Sequence, residues 1–167
     1  MFASYKKHNN LLYNNLVKLS RNKFFYQEVL LEDKTENRVI LIFFHFAIIL
    51  RIAKSKDFGK NAQEIFDNIF QNIEYNLREL GDGDVAVNKK MKNLTRIFYD
   101  ILLTFDKSNT ILQDNNYTFL KKYFLINKKE DNKNIDNLSK YFDKFKNFCF
   151  DLDVKNMLNG SFNFIYK

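Results

Sequence analysis

The sequence predicts an all-α fold, a single-domain bundle of about six helices. Three observations predict it. The chain has 167 residues, which suits one domain with its own core, and 46% of them are hydrophobic. Apolar residues recur at a spacing near 3.6 along nearly the whole chain. With four glycines, no proline and no linker-like stretch, residues 1–167 are expected to form one helical domain.

The helical period runs through most of the chain, with turns and polar stretches between the segments. The predicted segments are at about Tyr5–Leu19, Phe24–Leu30, Glu36–Lys54, Lys60–Leu80, Asn88–Asp106 and Ile135–Leu152, with a further region, Thr110–Ile126, that the letters QDNN interrupt. Thr35 or Asp33 is the expected N-cap of the third segment. The letters NKKEDNKNIDN are expected to form a polar loop before the last helix.

The third segment is the most apolar part of the chain. It contains VILIFFHFAIIL, twelve residues that are apolar except for His45. A membrane-spanning helix needs about 20 such residues, and Arg38 and Arg51 bracket this run. A β-branched run of this kind also permits a strand, but no second strand candidate exists to pair with it. A buried central helix is the preferred interpretation.

The charge of the chain is +7, with lysine far more frequent than arginine. A basic balance favours nucleic acid, anionic lipid or a ribosome as neighbours. The lysines are scattered rather than grouped in a block, and the abundance of Lys, Asn, Ile and Phe is typical of an AT-rich genome. The N-terminal residues lack the apolar region of a signal peptide. Charge alone therefore identifies no ligand.

Residues that could perform catalysis or bind a cofactor are few. Cys149 is the single cysteine and lies among phenylalanines, where a buried and inert thiol is expected. His8 lies on a polar stretch, and His45 is expected to be a core residue with its hydrogen bonds satisfied. No Ser–His arrangement or HExxH motif occurs. We expect no enzyme and no cofactor; haem ligation through His45 stays an open alternative without a second ligand.

Two of the glycines fall in one segment, NLRELGDGDVAVNKKMK, from Asn76 to Lys92. A phosphate-binding loop would need a Lys-Ser/Thr pair after a strand, and neither is present. The letters DGD resemble part of a calcium loop, but Asp82 and Asp84 are followed by Val-Ala-Val and then by lysines instead of further oxygen ligands. No metal or phosphate site is expected here.

Packing accounts for the glycines of this segment. Gly81 is placed where a left-handed residue ends a helix, and Asn88 is placed to cap the next one. Gly83 is expected to turn the chain, and Val85 and Val87 to tuck into the bundle. A Gly83→Val change should then damage folding. Packing leaves the dense charges around the two glycines unexplained, and such a cluster indicates a recognition surface.

This segment is similar to the signature of the ubiquinol–cytochrome c chaperone family, which reads approximately Leu-Arg-Glu-Met/Leu-Gly-x-Gly-Asp-x-x-Val-x-Lys-x-x-Lys. The matching residues are Leu77, Arg78, Glu79, Leu80, Gly81, Gly83, Asp84, Val87, Lys89 and Lys92. The likeness extends over about Leu12–Asp106, which we take as the family-like core. It also places His45, Arg51, Phe98 and Tyr99 at family positions. The C-terminal helices, at about 110–152, are too generic to carry it. Asn88 and Asp100 depart from the family pattern.

The resemblance implies a chaperone for assembly of the cytochrome bc1 complex. Its client would be newly made cytochrome b, with a ribosome or a small partner protein as further neighbours and no specific nucleic acid. The expected place is cytoplasmic, peripheral at the inner membrane. The residues expected to contact the client or partner are Arg78, Glu79, Asp82, Asp84, Lys89 and Lys92, with Gly81 and Gly83 setting the loop geometry and His45 and Tyr99 packing.

The resemblance leaves two other classes of function open. A basic ribosome-binding or nucleic-acid-binding helical protein would account for the net charge, and it would show a steep salt dependence of binding. A haem carrier or small enzyme would use His45. An Asp84→Lys change is expected to leave the fold intact and to weaken client capture.

Overall fold

The computed structural model describes residues 10–107, 117–124 and 131–167. These residues form α-helices and connecting turns and no β-sheet, which confirms the all-α prediction. The helices are α1 (Leu11–Ser20), α2 (Lys23–Gln27), α3 (Thr35–Ser55), α4 (Ala62–Glu79), α5 (Asp84–Lys107), α6 (Tyr117–Tyr123), α7 (Asp131–Asp151) and α8 (Val154–Asn159). A single 3-10 turn, Gly59–Asn61, leads into α4.

The apolar run of the third segment forms the centre of the bundle. Helix α3 packs against α1, α5, α7 and α8, and residues 39–49 are all buried. Burial on every side explains why the run has no polar face, and the strand alternative is wrong. Among the described residues, no helix has the length and hydrophobicity needed to cross a membrane.

Helix α5 begins four residues earlier than predicted. The carbonyl of Gly83 accepts the N–H of Val87 at 2.9 Å, so the helix is already formed at Asp84. Asn88 lies within the helix and is exposed, so its predicted role as N-cap is wrong. Val87 is fully buried, as expected, whereas Val85 is 84% exposed and does not enter the bundle.

The start of α3 also differs from the prediction. Its N-cap is Lys34, which makes no side-chain capping bond, and Thr35 is the first helical residue. The Asp33 carboxylate instead accepts two hydrogen bonds from Arg38, from Nε at 2.9 Å and from Nη2 at 2.6 Å. Neither predicted cap is used, since Thr35 is itself helical and the Asp33 carboxylate pairs with Arg38 instead of a backbone N–H.

Other helix limits move by a few residues. Helix α1 begins at Leu11, after Asn10 caps it through a 2.8 Å bond from the N–H of Tyr13; residues 5–9 of the predicted first segment lie outside the described residues. Helix α7 begins at Asp131, so the second half of the predicted polar loop is helical. Of the region 110–126, the structure describes residues 117–124, and the QDNN interruption lies outside them.

The chain after Leu152 forms structure that the periodicity did not predict. Helix α8 has six residues, too few to show a period, and it ends at Gly160 with φ of +82°. The rings of Phe162 and Phe164 then contact Phe148 at centroid distances of 6.1 and 5.1 Å. This C-terminal segment, residues 160–167, covers one face of α7.

Candidate functional site

The corner between α4 and α5, residues 78–92, carries the predicted recognition residues. Helix α4 ends in a Schellman motif: the Gly81 N–H donates to the Arg78 carbonyl at 3.0 Å, and the Asp82 N–H donates to the Leu77 carbonyl at 3.3 Å. Gly81 has φ of +97°, in the left-handed region that favours glycine. Gly81 thus has the backbone conformation expected of a residue that ends a helix.

Gly83 has a different position from the one predicted. It is the N-cap of α5, its φ lies outside the left-handed region, and a Cβ built there would meet no atom within 4 Å. The backbone therefore does not require glycine at this position. The expectation that Gly83 turns the chain through its special freedom is wrong, and the structure gives no support to a folding defect in Gly83→Val.

Arg78 ties the two helices of the corner together. Its guanidinium donates to the Glu74 carboxylate, from Nη2 at 2.8 Å and from Nε at 3.2 Å, and it also pairs with Asp84 at the start of α5. These hydrogen bonds to Glu74 and Asp84 raise the pKa of Arg78 further above its ordinary value. Asp84 lies in the first turn of its helix, where a negative charge is favourable.

A second ion pair connects the turn after α4 to helix α5. The Lys90 ammonium lies 2.7 Å from the Asp82 carboxylate. Three of the six predicted contact residues, Arg78, Asp82 and Asp84, thus have charged partners within the corner itself. The Arg78–Asp84 and Lys90–Asp82 pairs join groups on both sides of the turn between α4 and α5.

The remaining three predicted residues carry free charges. Glu79, Lys89 and Lys92 are exposed, and none forms an ion pair with another residue of the described chain. A charge without an internal partner is available to a binding partner. The structure thus divides the predicted set into three residues that hold the corner and three that are free to interact.

Lys89 and Lys92 belong to a longer stripe on the outer face of α5. Their spacing continues to Arg96, whose guanidinium donates to the amide oxygen of Asn93 at 2.9 Å and pairs with no acid in the described chain. Exposed apolar side chains lie on the same face. We call this set the α5 stripe: Val85, Lys89, Lys92, Arg96, Tyr99 and Leu103, with exposures of 84%, 45% and 55% for Val85, Tyr99 and Leu103.

The exposure of Val85, Tyr99 and Leu103 on this face, and the place of Arg96 among them, were not predicted from the sequence. The signal that could have found them is the alternating spacing of four and three residues from position 85 to position 103, which places them on one helix face. Tyr99, expected to pack, is half-exposed, and its ring contacts Phe66 at a centroid distance of 5.7 Å and Phe98 at 6.2 Å. Tyr99 therefore both packs and contributes to the exposed face.

Comparisons with known proteins decide the family. A family model described as Ubiquinol-cytochrome C chaperone matches residues 27–164. The chain belongs to the ubiquinol–cytochrome c chaperone family. The match includes the C-terminal third, which the sequence motifs did not cover, and it starts after the Leu12–Tyr26 part of the predicted family-like core. No curated protein matches the chain.

A solved structure has the same fold. The crystal structure of the Cbp3 homolog from Brucella abortus is 22% identical to this chain, with a TM-score of 0.69, and the alignment covers 93% of this chain and 87% of that one. At this identity the likeness establishes the fold. Membership in a chaperone family implies a role in protein assembly instead of catalysis.

His45 is a satisfied core residue of this family member. Its Nδ1 lies 2.6 Å from the Leu41 carbonyl and its Nε2 lies 2.8 Å from the Tyr141 hydroxyl. Because a carbonyl only accepts, Nδ1 carries the proton and Nε2 accepts from Tyr141. Complete burial lowers the pKa of His45 to about 4. With both ring nitrogens occupied, His45 offers no free ligand atom to haem iron.

The other candidate reactive groups also lie in the core. Cys149 is buried, and burial raises the pKa of its thiol, which keeps it protonated and inert. Arg51 donates to the Phe105 carbonyl near the C-terminal end of α5 and so joins α3 to α5. Within the described ranges, no three His, Cys, Asp or Glu side chains come together as metal ligands.

Proposed function

We propose that this chaperone binds newly made cytochrome b and supports its assembly into the bc1 complex. The observation that carries the proposal is the α5 stripe, in which three cations without acidic partners are flanked by exposed apolar side chains. The family description supports the complex, and the stripe supports a protein client. The client surface it fits is acidic and partly apolar, since opposite charges steer and orient protein contacts.

The corner has a supporting role in this proposal. Arg78 and Asp84 join the end of α4 to the start of α5 and hold the stripe in a fixed direction. Asp82 does the same through Lys90. Glu79, Lys89 and Lys92 would then touch the client directly. A rigid helix presents such groups more accurately than a loop does.

The same stripe suits work near a membrane. Cytochrome b is an apolar client, and its chaperone would act where the client is inserted. Cations on an exposed face are attracted to anionic lipid, at about 1 kcal/mol for each Lys or Arg near the surface. We place the protein at the cytoplasmic face of the inner membrane, peripherally bound, with a ribosome or a small partner protein as possible neighbours.

The test is capture of the client by a charge-reversed variant. A tagged Lys89→Glu/Lys92→Glu protein is expected to recover at most a tenth of the cytochrome b that the unchanged protein recovers from solubilised membranes. The matched control is Lys133→Glu/Lys140→Glu, which makes the same charge change at exposed positions of α7. The control should recover cytochrome b normally.

Two outcomes would overturn the proposal. One is that the unchanged protein does not enrich cytochrome b and that deletion of its gene leaves the amount of bc1 complex intact. The other is that both double variants lose capture equally, which would make net charge, not the stripe, the cause. Tight binding to an RNA or DNA duplex that falls steeply with salt would favour the alternative of a nucleic-acid or ribosome binder.

A further inference from the structure

A cleft lies beside the end of α4, and none of its lining residues belongs to α5. It runs between the end of α1, helix α2, the start of α3 and the end of α4. It consists of two spaces, a more open one of about 420 Å³, which we call the mouth, and a less open one of about 120 Å³, which we call the chamber. Arg21 and Arg38 line both spaces, so the mouth and the chamber adjoin. Two residues of the family motif, Leu77 and Leu80, line the cleft, and no residue of the α5 stripe does.

The mouth has an excess of positive charge. Its charged lining groups are Arg21, Lys23, Arg38 and Asp33. Asp33 accepts both hydrogen bonds of Arg38, which neutralises that pair. Arg21 and Lys23 are exposed and form no ion pair with any residue of the described chain. Two uncompensated cations at one opening favour an anionic ligand.

The chamber is mainly apolar. Its floor consists of Val17, Val39, Ile42, Ile73 and Leu77, and Leu80 lies at its edge. A cavity of about 150 Å³ lined by apolar side chains takes up a benzene molecule, so a chamber of about 120 Å³ has room for one aliphatic side chain. Leu80 is 61% exposed, which leaves the chamber accessible at the corner between α4 and α5.

Polar groups at the chamber rim suit a peptide backbone. Asn76 lines the chamber and is exposed, and its amide forms no side-chain hydrogen bond within the described residues. Tyr13 also lines it, and a tyrosine hydroxyl, which is protonated at neutral pH, can donate a hydrogen bond. An amide can both donate to and accept from a backbone, which a purely anionic ligand would not use.

We propose that this cleft binds an acidic peptide segment, with one aliphatic side chain in the chamber and a neighbouring carboxylate on Arg21 and Lys23. The segment would belong to the client, so the inference rests on the proposed function. An acyl chain is too long for the chamber, and a free phosphate ion would leave the apolar floor unused. Only a peptide segment contacts the two cations of the mouth, the apolar floor of the chamber and the Asn76 amide together.

The experiment uses the full chain and a fluorescein-labelled peptide with Glu-Leu-Glu at the centre of a Gly/Ser sequence. Fluorescence anisotropy should show saturable binding. Comparison peptides with Glu-Ser-Glu and Lys-Leu-Lys should each bind at least tenfold more weakly, because the first lacks the side chain for the chamber and the second has the wrong charge.

Variants locate the peptide on the protein. Arg21→Glu and Leu80→Ser are each expected to weaken binding of the Glu-Leu-Glu peptide at least tenfold. Both positions are exposed, and unchanged circular dichroism would show that the fold is retained. Lys133→Glu is the matched control and should bind as the unchanged protein does.

The inference is overturned if the Glu-Leu-Glu and Glu-Ser-Glu peptides bind equally, or if Arg21→Glu has no effect. It is also overturned if Arg21→Glu weakens binding to phosphatidylglycerol vesicles but not to the peptide, since the cleft would then bind lipid headgroups. The Lys89→Glu/Lys92→Glu variant should retain peptide binding. If the unchanged protein binds the Glu-Leu-Glu peptide but does not enrich cytochrome b, the proposed function fails and the cleft stands. If it enriches cytochrome b but does not bind the peptide, only the cleft fails.

Discussion

Two glycines two residues apart have different physical requirements. Gly81 has φ of +97° and follows the end of α4 in a Schellman motif, in which its N–H donates to the Arg78 carbonyl. Gly83 has an ordinary backbone, open space around its Cα and the position of an N-cap. At an N-cap serine is preferred over glycine, because its side chain accepts a hydrogen bond from the first turn. The same substitution should therefore act oppositely at the two sites.

Gly81→Ser is expected to lower the free energy of unfolding by about 1–2 kcal/mol, the strain of a left-handed L-residue. Gly83→Ser is the matched control and is expected to raise it by a few tenths of a kcal/mol or to leave it unchanged, roughly within 0.5 kcal/mol. Urea unfolding followed by circular dichroism measures both. Equal losses in the two variants would contradict the assignment of Gly81 as the conformationally special residue.

His45 connects residue chemistry to the pH dependence of stability. Its pKa is about 4 in the folded chain, against an ordinary value near 6.5. Between these values the unfolded chain binds the proton and the folded chain does not. The stability is therefore fully present above about pH 6.5 and falls as the pH drops toward 4.

The expected loss between pH 7 and pH 4 from this group is roughly 3 kcal/mol. It is measured by urea unfolding across that range. The double variant His45→Leu/Tyr141→Phe removes both members of the buried hydrogen bond and should flatten this part of the profile, since replacing both partners by apolar groups leaves neither unsatisfied. An equally steep profile in the double variant would show that other groups cause the pH dependence.

At the scale of elements, the two ends of the described chain are joined at one point. Gly160 ends α8 in the left-handed region, and a Cβ there would lie 2.5 Å from the backbone nitrogen of Leu12. The Asn15 amide donates to the carbonyls of Gly160 and Phe162, at 3.2 and 2.7 Å. The close approach of α8 to α1 thus depends on a residue without a side chain.

Gly160→Ala is expected to destabilise the protein by about 3 kcal/mol, because the left-handed conformation and the backbone overlap both oppose the added methyl group. Gly59→Ala is the control: a Cβ at Gly59 meets no atom within 4 Å and its φ is not left-handed. Thermal unfolding measures both. A Gly160→Ala variant as stable as Gly59→Ala would show that the α1–α8 contact is not close in solution.

At the scale of the whole molecule, α3 is the element that the other helices share. It contacts α1 and α5 from the N-terminal part and α7 and α8 from the C-terminal part. Aromatic rings extend these contacts, as in Phe44 with Phe105 and Phe142 at centroid distances of 5.5 and 5.2 Å. Neither part has a core of its own without α3, because both bury their apolar faces on it.

We therefore expect one cooperative unfolding transition for the full chain, as for a single domain over residues 1–167. Far-ultraviolet circular dichroism reports the helices, and tyrosine fluorescence reports the packing around the nine tyrosines, which are spread along the chain. The two thermal curves should coincide. Separate midpoints for the two signals would contradict a single cooperative unit.

The sequence alone determined the helical class, the buried position of the third segment, the left-handed residue at Gly81 and the resemblance to the family. Each of these follows from local information: the period of apolar residues, the length of an apolar run, a glycine after a periodic segment and a contiguous motif. The predicted start of α5, Asn88, lies four residues too far along the chain. Asn88 is a good N-cap by residue type, and the sequence does not show that the Gly83 carbonyl already accepts the first helical hydrogen bond.

Only the tertiary structure decided which charges are free, where a cleft opens and how the C-terminal segment packs. The sequence shows only that these positions carry charges, and not which of them are paired. The fold pairs Arg78 with Asp84 and leaves Lys89 and Lys92 without an ion-pair partner in the described chain. The cleft joins residues from α1 to α4 that are far apart along the chain. The physical reason is that ion pairs and cavities depend on which helix faces meet, and periodicity identifies a buried face without identifying its partner.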